Sequence, residues 1–493
     1  MENYDQLGLP KPEPFALGGK EWAFLGVQMV LGWLLCNSMV YGGLNLGFAL
    51  CAVASVLCAF FYLVASGHRP DGYSGSLLAL AVVIAVGFAR SDDGFVKAVL
   101  LMFLVVAVNL GLCLLAGKNR YSPGSVRSLR EVGFTVFFMG FGKLPESMGG
   151  LGASFKNAGN AGKKSGQVLL GLLLCIPVLL LVIPLLTSAD AAFEGVMQLL
   201  PKLKMEELVV TALFGTFLGA ILFSRSVGLH HGDREQGKAP VGKGINAVTV
   251  NTVLVAVLFV YGVYLLSQLA YLFGGLSGIL PEGYSLAEYA RRGFFEMETL
   301  CGINLTVLVI ALRSVRRHGP TPFATKLLAL LLGCITLFLV ATASAKMFLY
   351  IGSYGLTRQR LLTQIIMLFM AVTTVTIDLW LFVPKLPYMK VVLLAGLVIG
   401  AATMWADVNT QVANYNANAY LTGRMEKVDL DYLKRLGGSA LPALERIAEE
   451  APTGHIRKKA QQYMNQVASQ NSTGADIRGW NYVNQMAENY WQE

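Results

Sequence analysis

The stretch that decides the fold is "LLALLLGCITLFLVATASAKMFLYIGSYGLTRQRLLTQIIMLFMAVTTVTIDLWLFV", residues 327–383. Two apolar runs, 323–350 and 361–384, flank a polar turn with two glycines and two arginines. A helix needs about 20 apolar residues to cross roughly 30 Å of hydrocarbon, and each run is long enough. The stretch therefore predicts two membrane helices that meet at one membrane surface, joined by an unusually polar turn.

The composition extends this pattern to the whole chain. Of the 493 residues, 55% are hydrophobic and 14% are charged, whereas a soluble domain carries about a quarter charged residues. The 53 glycines are spread through the apolar runs, which suits closely packed membrane helices. We therefore predict an all-α polytopic membrane protein with about 11 transmembrane helices, or about ten if the short third run does not span. The runs lie at 22–41, 44–66, 75–89, 95–117, 166–187, 207–227, 246–273, 294–312, 323–350, 361–384 and 389–405.

The loops and the polar end of the chain divide it into five regions. The segment "VGFTVFFMGFG", 132–142, is apolar but too short to span, so we expect it to be interfacial or re-entrant. After Trp405 the chain becomes polar; Asp429 is a candidate helix N-cap and Pro442 a candidate first residue of the next helix. The predicted regions are an N-terminal cytoplasmic segment (1–21), a four-helix membrane region (22–117), a basic cytoplasmic loop (118–165), a seven-helix membrane region (166–405) and a C-terminal helical domain (406–493).

The loop charges predict the orientation. With a cytoplasmic N-terminus, the inside segments carry about 20 Lys and Arg residues and the outside loops about eight. Eleven crossings would then place the C-terminal domain outside the cytoplasm. The residues before the first run are too long and too acidic for a cleavable signal peptide, so we expect that run to stay in the mature protein.

Three polar clusters fall at the predicted outer face, within 285–304, 346–364 and 405–424. Thr357 can cap the tenth helix, but Arg358 and Arg360 in its first turn oppose the helix dipole and need carboxylates, phosphate or water. The stretch from Asp407 is expected to continue the last membrane helix out of the bilayer. The candidate site residues are Arg291, Arg292, Glu296, Glu298, Lys346, Tyr354, Thr357, Arg358, Arg360, Asp407, Asn409 and Asn416.

Two interpretations of these clusters remain open. Glu296, Glu298 and Asp407 can neutralise the cations in a structural network that joins three helix ends. Alternatively, the surplus of cations over carboxylates suits an anionic ligand such as a lipid phosphate. Interfacial arginines and tyrosines are also ordinary membrane anchors. Asn304 and Asp378 lie deeper, where we expect them to pack helices through hydrogen bonds.

Membrane lipids are the expected partners, with an anionic lipid headgroup or an envelope protein at the outer face. The net charge of +9 lies mainly in short loops, so topology explains it and no nucleic-acid partner is predicted. No HExxH or GxSxG motif is present, the five histidines are too dispersed for an evident metal site, and no cofactor is predicted. The seven cysteines fall in apolar runs and are interpreted as small buried side chains.

Three stretches carry a family resemblance: "EYARRGFFEM", "YGLTRQRL" and "VANYNANAYLTGRMEKVDLDYLKRLGGSALPAL". They resemble two related families of bacterial multipass membrane proteins, domains of unknown function numbered four-one-five-three and four-one-seven-three, and are more similar to the second. The similarity covers roughly residues 245–450. It implies a bacterial inner-membrane location and no established activity. The matching positions are Tyr289, Ala290, Arg291, Gly293, Phe294, Tyr354, Gly355, Leu356, Thr357, Arg360, Val412, Ala413, Tyr415, Asn416, Asp429, Leu433, Pro442 and Leu444.

The favoured hypothesis is a non-enzymatic envelope platform whose outer-face Arg, Glu and Asn network positions the C-terminal domain, with room for a lipid or other anionic ligand. A secondary transporter is the alternative, and it predicts an aqueous cavity that reaches Asn304 or Asp378. A membrane enzyme acting on a lipid-linked substrate is the third hypothesis, although no residue stands out as a nucleophile.

Overall fold

Nine helices in the described part of the chain are long and apolar enough to cross a membrane, and Gly72–Gly87 is apolar but shorter. The computed structural model describes residues 15, 17–157, 182, 186, 205–232, 245–276, 294–315, 322–471 and 476–492. These residues form helices and turns without a β-strand, which confirms the predicted all-α polytopic class. The ten helices coincide with ten of the predicted runs; the eleventh, 166–187, lies outside the described residues.

The membrane helices of the described ranges are numbered in chain order, together with one surface helix. Residues 205–215 lead into the sixth helix without a break, through Met205–Val210 and a π-helical turn, Thr211–Gly215. The helices are α1 Gly19–Asn37, α2 Leu46–Ala65, α3 Gly72–Gly87, α4 Gly94–Leu115, the surface helix α5 Leu144–Asn157, α6 Thr216–His231, α7 Ala247–Leu276, α8 Phe294–Val315, α9 Phe323–Tyr354, α10 Arg358–Phe382 and α11 Tyr388–Ala406.

Glycines let two of these helices approach closely. A Cβ added at Gly32 of α1 would lie 2.6 Å from the Cα atom of Gly219 in α6. One added at Gly215 would lie 2.8 Å from the Cα atom of Trp33. Both separations are too short for a side chain, so α1 and α6 pack backbone against backbone, as small residues allow in membrane helices. On the outside of the bundle, Phe259 of α7 is 72% exposed, as expected for a residue that faces lipid.

The bundle has two membrane surfaces. We call the one that carries the turn at residues 355–357 the tail face, because the C-terminal helices pack there. The opposite one, which carries residues 118–129, is the loop face. At the tail face, the backbone N–H groups of Leu46 and Tyr482 donate to the carbonyls of Trp480 and Ala89, each at 2.9 Å. At the loop face, Lys118 Nζ donates to the Gly232 carbonyl.

The C-terminal region forms a second apolar core on the tail face. Its helices are α12 Val408–Leu421, α13 Leu430–Arg435, α14 Leu441–Glu450, α15 Gly454–Asn471 and α16 Tyr482–Gln492. Leu433, Leu444 and Ile447 are completely buried in this core. Asp429 caps α13 by accepting from the Tyr432 N–H at 2.8 Å, and Pro442 lies in the first turn of α14. These two local predictions are confirmed.

The predicted continuation of the last membrane helix beyond the bilayer is wrong. The helix α11 ends at Ala406, and α12 begins at Val408 after a break at Asp407. Asp407 has a φ of +49°, the one non-glycine residue with positive φ in the described chain. Asp tolerates this conformation better than most residues, and the break turns its carboxylate back into the protein.

The apolar segment predicted to be interfacial lies on α6. Phe134–Gly142 forms a π-helical segment, and a Cβ added at its Gly140 would lie 3.2 Å from the Cγ2 atom of Ile221. Phe137 is 70% exposed, so this segment presents an aromatic side chain outward while it packs on the bundle. Whether it lies at the membrane surface stays a prediction.

Candidate functional site at the tail face

The turn between α9 and α10 is held by one buried amide. Asn416 of α12 donates through Nδ2 to the Leu356 carbonyl at 2.7 Å, and its Oδ1 accepts from the Leu356 N–H at 2.8 Å. Gly355 has a φ of +76°, and a Cβ there would lie 2.7 Å from Asn416 Oδ1. Only glycine fits both the conformation and the space at residue 355. The Tyr-Gly-Leu-Thr sequence, residues 354–357, is therefore explained by the geometry of this turn. We call the turn and its contacts with α12 the tail-face joint.

The first turn of α10 is fixed by partners from two distant segments. Thr357 caps the helix as predicted, accepting from the Arg360 N–H at 3.4 Å. The Arg358 N–H donates to the Tyr432 hydroxyl at 2.8 Å, and Arg358 Nη1 lies 3.5 Å from the Asp93 carboxylate. The Asp93 side chain is fully buried and also caps α4, accepting from the Phe95 and Val96 N–H groups at 3.0 and 3.1 Å. A buried carboxylate therefore anchors one of the two arginines.

The second arginine is held by neutral groups. Arg360 Nη1 donates to the carbonyls of Tyr354, at 3.2 Å, and Gly355. Its guanidinium lies 4.1 Å from the centroid of the Tyr350 ring, a cation–π distance. Tyr350 in turn packs against Tyr354, whose side chain is 55% exposed. These contacts orient Arg360 without neutralising its charge.

A cavity of about 930 Å³ lies beside these two arginines, between the membrane helices and α13. Arg435 of α13 adds a third guanidinium, and no Asp or Glu is found among the described lining residues. Asn409 also lines the cavity; it is 9% exposed, and its Oδ1 has no hydrogen-bond partner within the described residues. The remaining walls are mainly apolar or aromatic: Phe95, Met347, Tyr350, Leu362, Ile366, Tyr432 and Leu436, with Thr357, Gln359 and Thr363.

Asp407 is held by hydrogen bonds from three hydroxyl groups. Its carboxylate accepts from Ser91 Oγ at 3.1 Å, Thr410 Oγ1 at 2.5 Å and Ser439 Oγ at 2.9 Å. Within the described residues no ion pair joins Asp407 to Arg358 or Arg360. Its predicted pairing with Arg291 or Arg292 stays a prediction, because both lie outside the described residues. Asp407 is 3% exposed and ties α4, α12 and the C-terminal core together.

A buried charge cluster that the sequence did not reveal lies behind this joint. Lys97 of α4 is 5% exposed and donates to Asn45 Oδ1 at 2.6 Å. Asn481, just before α16, reaches Asn45 Oδ1 at 3.3 Å and Asp92 Oδ1 at 3.5 Å. Burial raises the pKa of Asp92, the Lys97 charge lowers it, and the neighbouring carboxylates Asp407 and Asp93 raise it further.

The structure brings seven of the twelve candidate residues together at this joint: Tyr354, Thr357, Arg358, Arg360, Asp407, Asn409 and Asn416. Glu298 of α8 and Lys346 of α9 are half-buried and do not line the cavity. Glu296 lies in the first turn of α8, but its side chain is outside the described part of the structure. Arg291 and Arg292 fall outside the described residues altogether.

The two deeper polar residues behave differently from each other. Asn304 of α8 accepts from the Tyr261 hydroxyl at 2.8 Å and donates to Thr336 Oγ1 at 3.1 Å, so it links α7, α8 and α9 as expected. Asp378 of α10 is 9% exposed, and its Oδ1 has no partner within the described chain. It lies against Gly333 of α9, where a Cβ would come within 2.5 Å of the Asp378 Cγ atom.

His68 meets the adjacent pair His230 and His231 at the loop face, although 162 positions separate His68 from His230. His68 Nε2 lies 3.1 Å from His230 Nδ1, and His231 Nε2 lies 3.9 Å from Glu21 Oε1. Burial lowers the pKa of His68, with smaller contributions from His230 and Lys118. Within the described ranges, no group of three His, Cys, Asp or Glu side chains is arranged to hold a metal ion. Because His68 contacts His230, the histidines are less dispersed in the fold than the sequence suggested.

The residues that sequence reasoning missed are those supplied by distant segments. Asp93 is 265 positions from Arg358, and Ser91 is 316 from Asp407. A signal for Asp93 was present in "SDDG", 91–94, because an Asp just before an apolar run is a typical helix N-cap. Tyr432 and Arg435 had no comparable local signal.

The comparison with protein families extends further along the chain than the three motifs. A model described as a domain of unknown function, DUF4153, matches residues 77–447, three quarters of the 493-residue chain. This is the first of the two related families that the motifs resemble, whereas the motifs themselves are more similar to the second, and its match begins well before residue 245. No curated protein matches the chain, and no solved structure does.

Proposed function

Because the chain belongs to the DUF4153 family, whose function is unknown, we propose a function from the site itself. The protein is a non-enzymatic platform of the bacterial inner membrane. Its tail face is extracytoplasmic and holds the C-terminal helices over a cavity that binds the phosphate of an anionic lipid. An envelope protein that docks on those helices is the expected macromolecular partner.

The observation that carries this proposal is the cavity with three guanidinium groups and no carboxylate among the described residues that line it. Asp93 partly offsets Arg358, while the described contacts of Arg360 are to carbonyls and an aromatic ring. Guanidinium groups bind phosphate through paired, charge-assisted hydrogen bonds. The unpartnered Asn409 oxygen supplies a further polar group, which suits a hydroxyl of the headgroup. The apolar wall along α9 and α10 suits the attached acyl chains.

The arrangement of the polar groups favours this function over transport. A transporter is expected to place its ligand groups near the bilayer midplane. The tail-face cavity is not lined by Asn304 or Asp378, and Asn304 already has two partners. The charged side chains that line the cavity lie in the first turn of α10 and at the end of α13, at the tail face.

Lipid binding by the purified full chain tests the proposal. We expect native mass spectrometry to show preferential retention of phosphatidylglycerol over phosphatidylcholine. The double variant Arg360→Gln/Arg435→Gln removes two of the three cavity charges and is expected to weaken the binding of one phosphatidylglycerol at least about tenfold, since charge-assisted hydrogen bonds are each worth about 1.5–3 kcal/mol.

The matched control is Arg424→Gln, which removes a charge from an exposed turn of the same C-terminal region. Its binding should stay within about twofold of the wild type, because exposed charges contribute little. Equal binding by the wild type and the double variant would overturn the lipid site.

Cysteine labelling tests the orientation separately. Ser353 is exposed at the tail face and Ser122 is exposed at the loop face. In a background without the native cysteines, an impermeant maleimide should label Ser353→Cys in intact spheroplasts, and Ser122→Cys only after permeabilisation. The reverse pattern would place the tail face in the cytoplasm.

A further inference from the structure

The loop face has its own cation-lined cavity, at the far end of α10 from the tail-face site. Its volume is about 580 Å³. Arg127, Arg313, Lys385 and Lys390 line it together with the hydroxyl residues Ser122 and Ser125. Three separate parts of the chain supply these side chains: the loop after α4, the end of α8, and the turn between α10 and α11 with the first turn of α11.

The loop that carries Ser122 to Arg127 is held in place by buried contacts. Glu131 is completely buried and accepts from the N–H groups of Arg120 and Tyr121 at 2.6 and 2.8 Å. The Arg120 guanidinium lies 3.7 Å from the Phe134 ring centroid. Ser125 accepts from the Arg127 N–H at 3.3 Å, which starts the short 3₁₀ turn at Val126. The wall of the cavity is therefore preorganised.

The opposite wall is equally well defined. Pro387 packs on Gly124, where a Cβ would lie 3.4 Å from the Pro387 Cα atom. Trp380 and Tyr388 pack ring to ring with centroids 4.4 Å apart, and both are mostly buried. Lys390 lies 4.7 Å from the Tyr73 ring centroid and is held without an ion pair in the described part of the chain. These contacts hold the two walls of the cavity in place against each other.

Three of the four cations in this cavity have no carboxylate partner in the part of the chain that the structure describes. Within the described ranges, no Asp or Glu lies within ion-pair distance of Arg127, Arg313 or Lys385. Asp71 interacts electrostatically with Lys390 but does not line the cavity. The positive-inside rule explains why a cytoplasmic loop carries positive residues. It does not explain why these residues converge on one cavity together with hydroxyl groups. Convergent cations and hydroxyls are what a phosphate group requires.

From this arrangement we infer that the loop-face cavity is a second binding site, specific for a phosphate group. Arg127 and Arg313 contribute guanidinium donors, Lys385 and Lys390 contribute ammonium groups, and the serine hydroxyls complete the shell. The same chemistry is offered by an anionic lipid headgroup and by a water-soluble phosphate ester. The site is separate from the tail-face cavity and does not depend on the function proposed for it.

Binding of two phosphate probes to the purified full chain tests this inference and separates the sources. The probes are inorganic pyrophosphate and dihexanoyl phosphatidylglycerol, with dihexanoyl phosphatidylcholine as the zwitterionic comparison. All titrations use the Arg360→Gln/Arg435→Gln background, so that the tail-face cavity does not contribute. Binding of pyrophosphate would identify a water-soluble phosphate compound as the ligand class, and binding of phosphatidylglycerol alone would identify a lipid headgroup.

In that background, Arg127→Gln/Arg313→Gln is expected to weaken binding of the bound probe at least tenfold. The matched control, Arg69→Gln/Lys326→Gln, removes two charges from the same face outside the cavity and should change the affinity less than twofold. Lys385→Gln, at an exposed position, is expected to weaken the affinity for the probe about threefold. It gives a second measurement if the double variant fails to fold. Binding of neither probe, or an equal loss in the cavity variants and the control, would overturn the site.

Discussion

The two ends of α10 use the same kind of residue in different ways. At the tail face, Arg358 is fixed by a buried carboxylate and a tyrosine hydroxyl that come from distant segments. At the loop face, Arg127 and Arg313 reach a cavity without a carboxylate in ion-pair range in the described chain. The residue type is the same at both ends, so the role of each arginine depends on the groups that surround it. We therefore expect substitutions of the buried partners at the tail face to change stability, and substitutions in the loop-face cavity to change binding alone.

The largest expected effect is at Asp407. Asp407→Ala removes the acceptor shared by Ser91, Thr410 and Ser439 and places alanine at a positive φ. A buried hydroxyl that loses its partner costs about 1–3 kcal/mol, so we expect the free energy of unfolding to fall by roughly 2–4 kcal/mol. Denaturant unfolding in detergent measures it.

The conservative variant Asp407→Asn serves as the control. Asn keeps one acceptor oxygen and tolerates the same backbone conformation. Its free energy of unfolding should therefore fall by half as much as that of the alanine variant, or less. If Asp407→Ala were as stable as the exposed-site variant Arg424→Gln, the tail face would not be a structural joint.

The next largest effect is expected where α9 packs against α10, at Gly333 and Asp378. Gly333→Ala would force its Cβ against the Asp378 carboxylate, and overpacking of this kind costs about 1–3 kcal/mol. Asp378→Ala removes the obstacle, so the double variant should be more stable than the sum of the two single effects predicts. Gly302→Ala on α8, where nothing lies within 4 Å of the new Cβ, is the matched control and should not destabilise. Additive effects at residues 333 and 378 would show that α9 and α10 pack differently here.

The membrane helices could be predicted from sequence because apolar length is a local property. The run expected at 361–384 is observed as Arg358–Phe382, and the Thr357 and Asp429 caps follow from residues within one helical turn. The site was predicted only in part. The turn residues were identified, but Asp93, Ser91 and Ser439 approach them from segments that no local pattern connects. The break at Asp407 was missed for the same reason, since its hydroxyl partners become visible only in the fold.

A smaller effect is expected where the end of the chain returns to the membrane helices. Arg478 Nη1 donates to Asn37 Oδ1 at 2.9 Å and to Glu207 Oε2 at 3.1 Å. Its side chain is 28% exposed, so Arg478→Ala should cost about 1 kcal/mol. Hydrogen exchange should then be faster in α16, while α13 and α14 keep their protection. Arg446→Ala, which breaks only the exposed contact to Glu450 at 3.7 Å, should leave α16 unchanged. Unchanged exchange in Arg478→Ala would mean that the backbone contacts alone hold this end of the chain.

The smallest expected effect is the pH dependence that Asp92 contributes at the tail face. Burial raises the pKa of Asp92 above its ordinary value of 3.8. The folded protein therefore binds this proton more tightly than the unfolded chain does, and ionised Asp92 destabilises the fold at every pH above its raised pKa. Asp92→Asn should accordingly be more stable than the wild type at neutral pH. That advantage should shrink as the pH falls through the raised pKa towards 3.8, because the wild-type carboxyl then becomes neutral as well. Thermal midpoints of both proteins between about pH 4 and about pH 8 measure the difference, and comparing the two proteins cancels the other carboxylates. A difference that does not vary with pH would show that Lys97 neutralises Asp92 fully, and that the tail face balances its buried charges more completely than the loop face does.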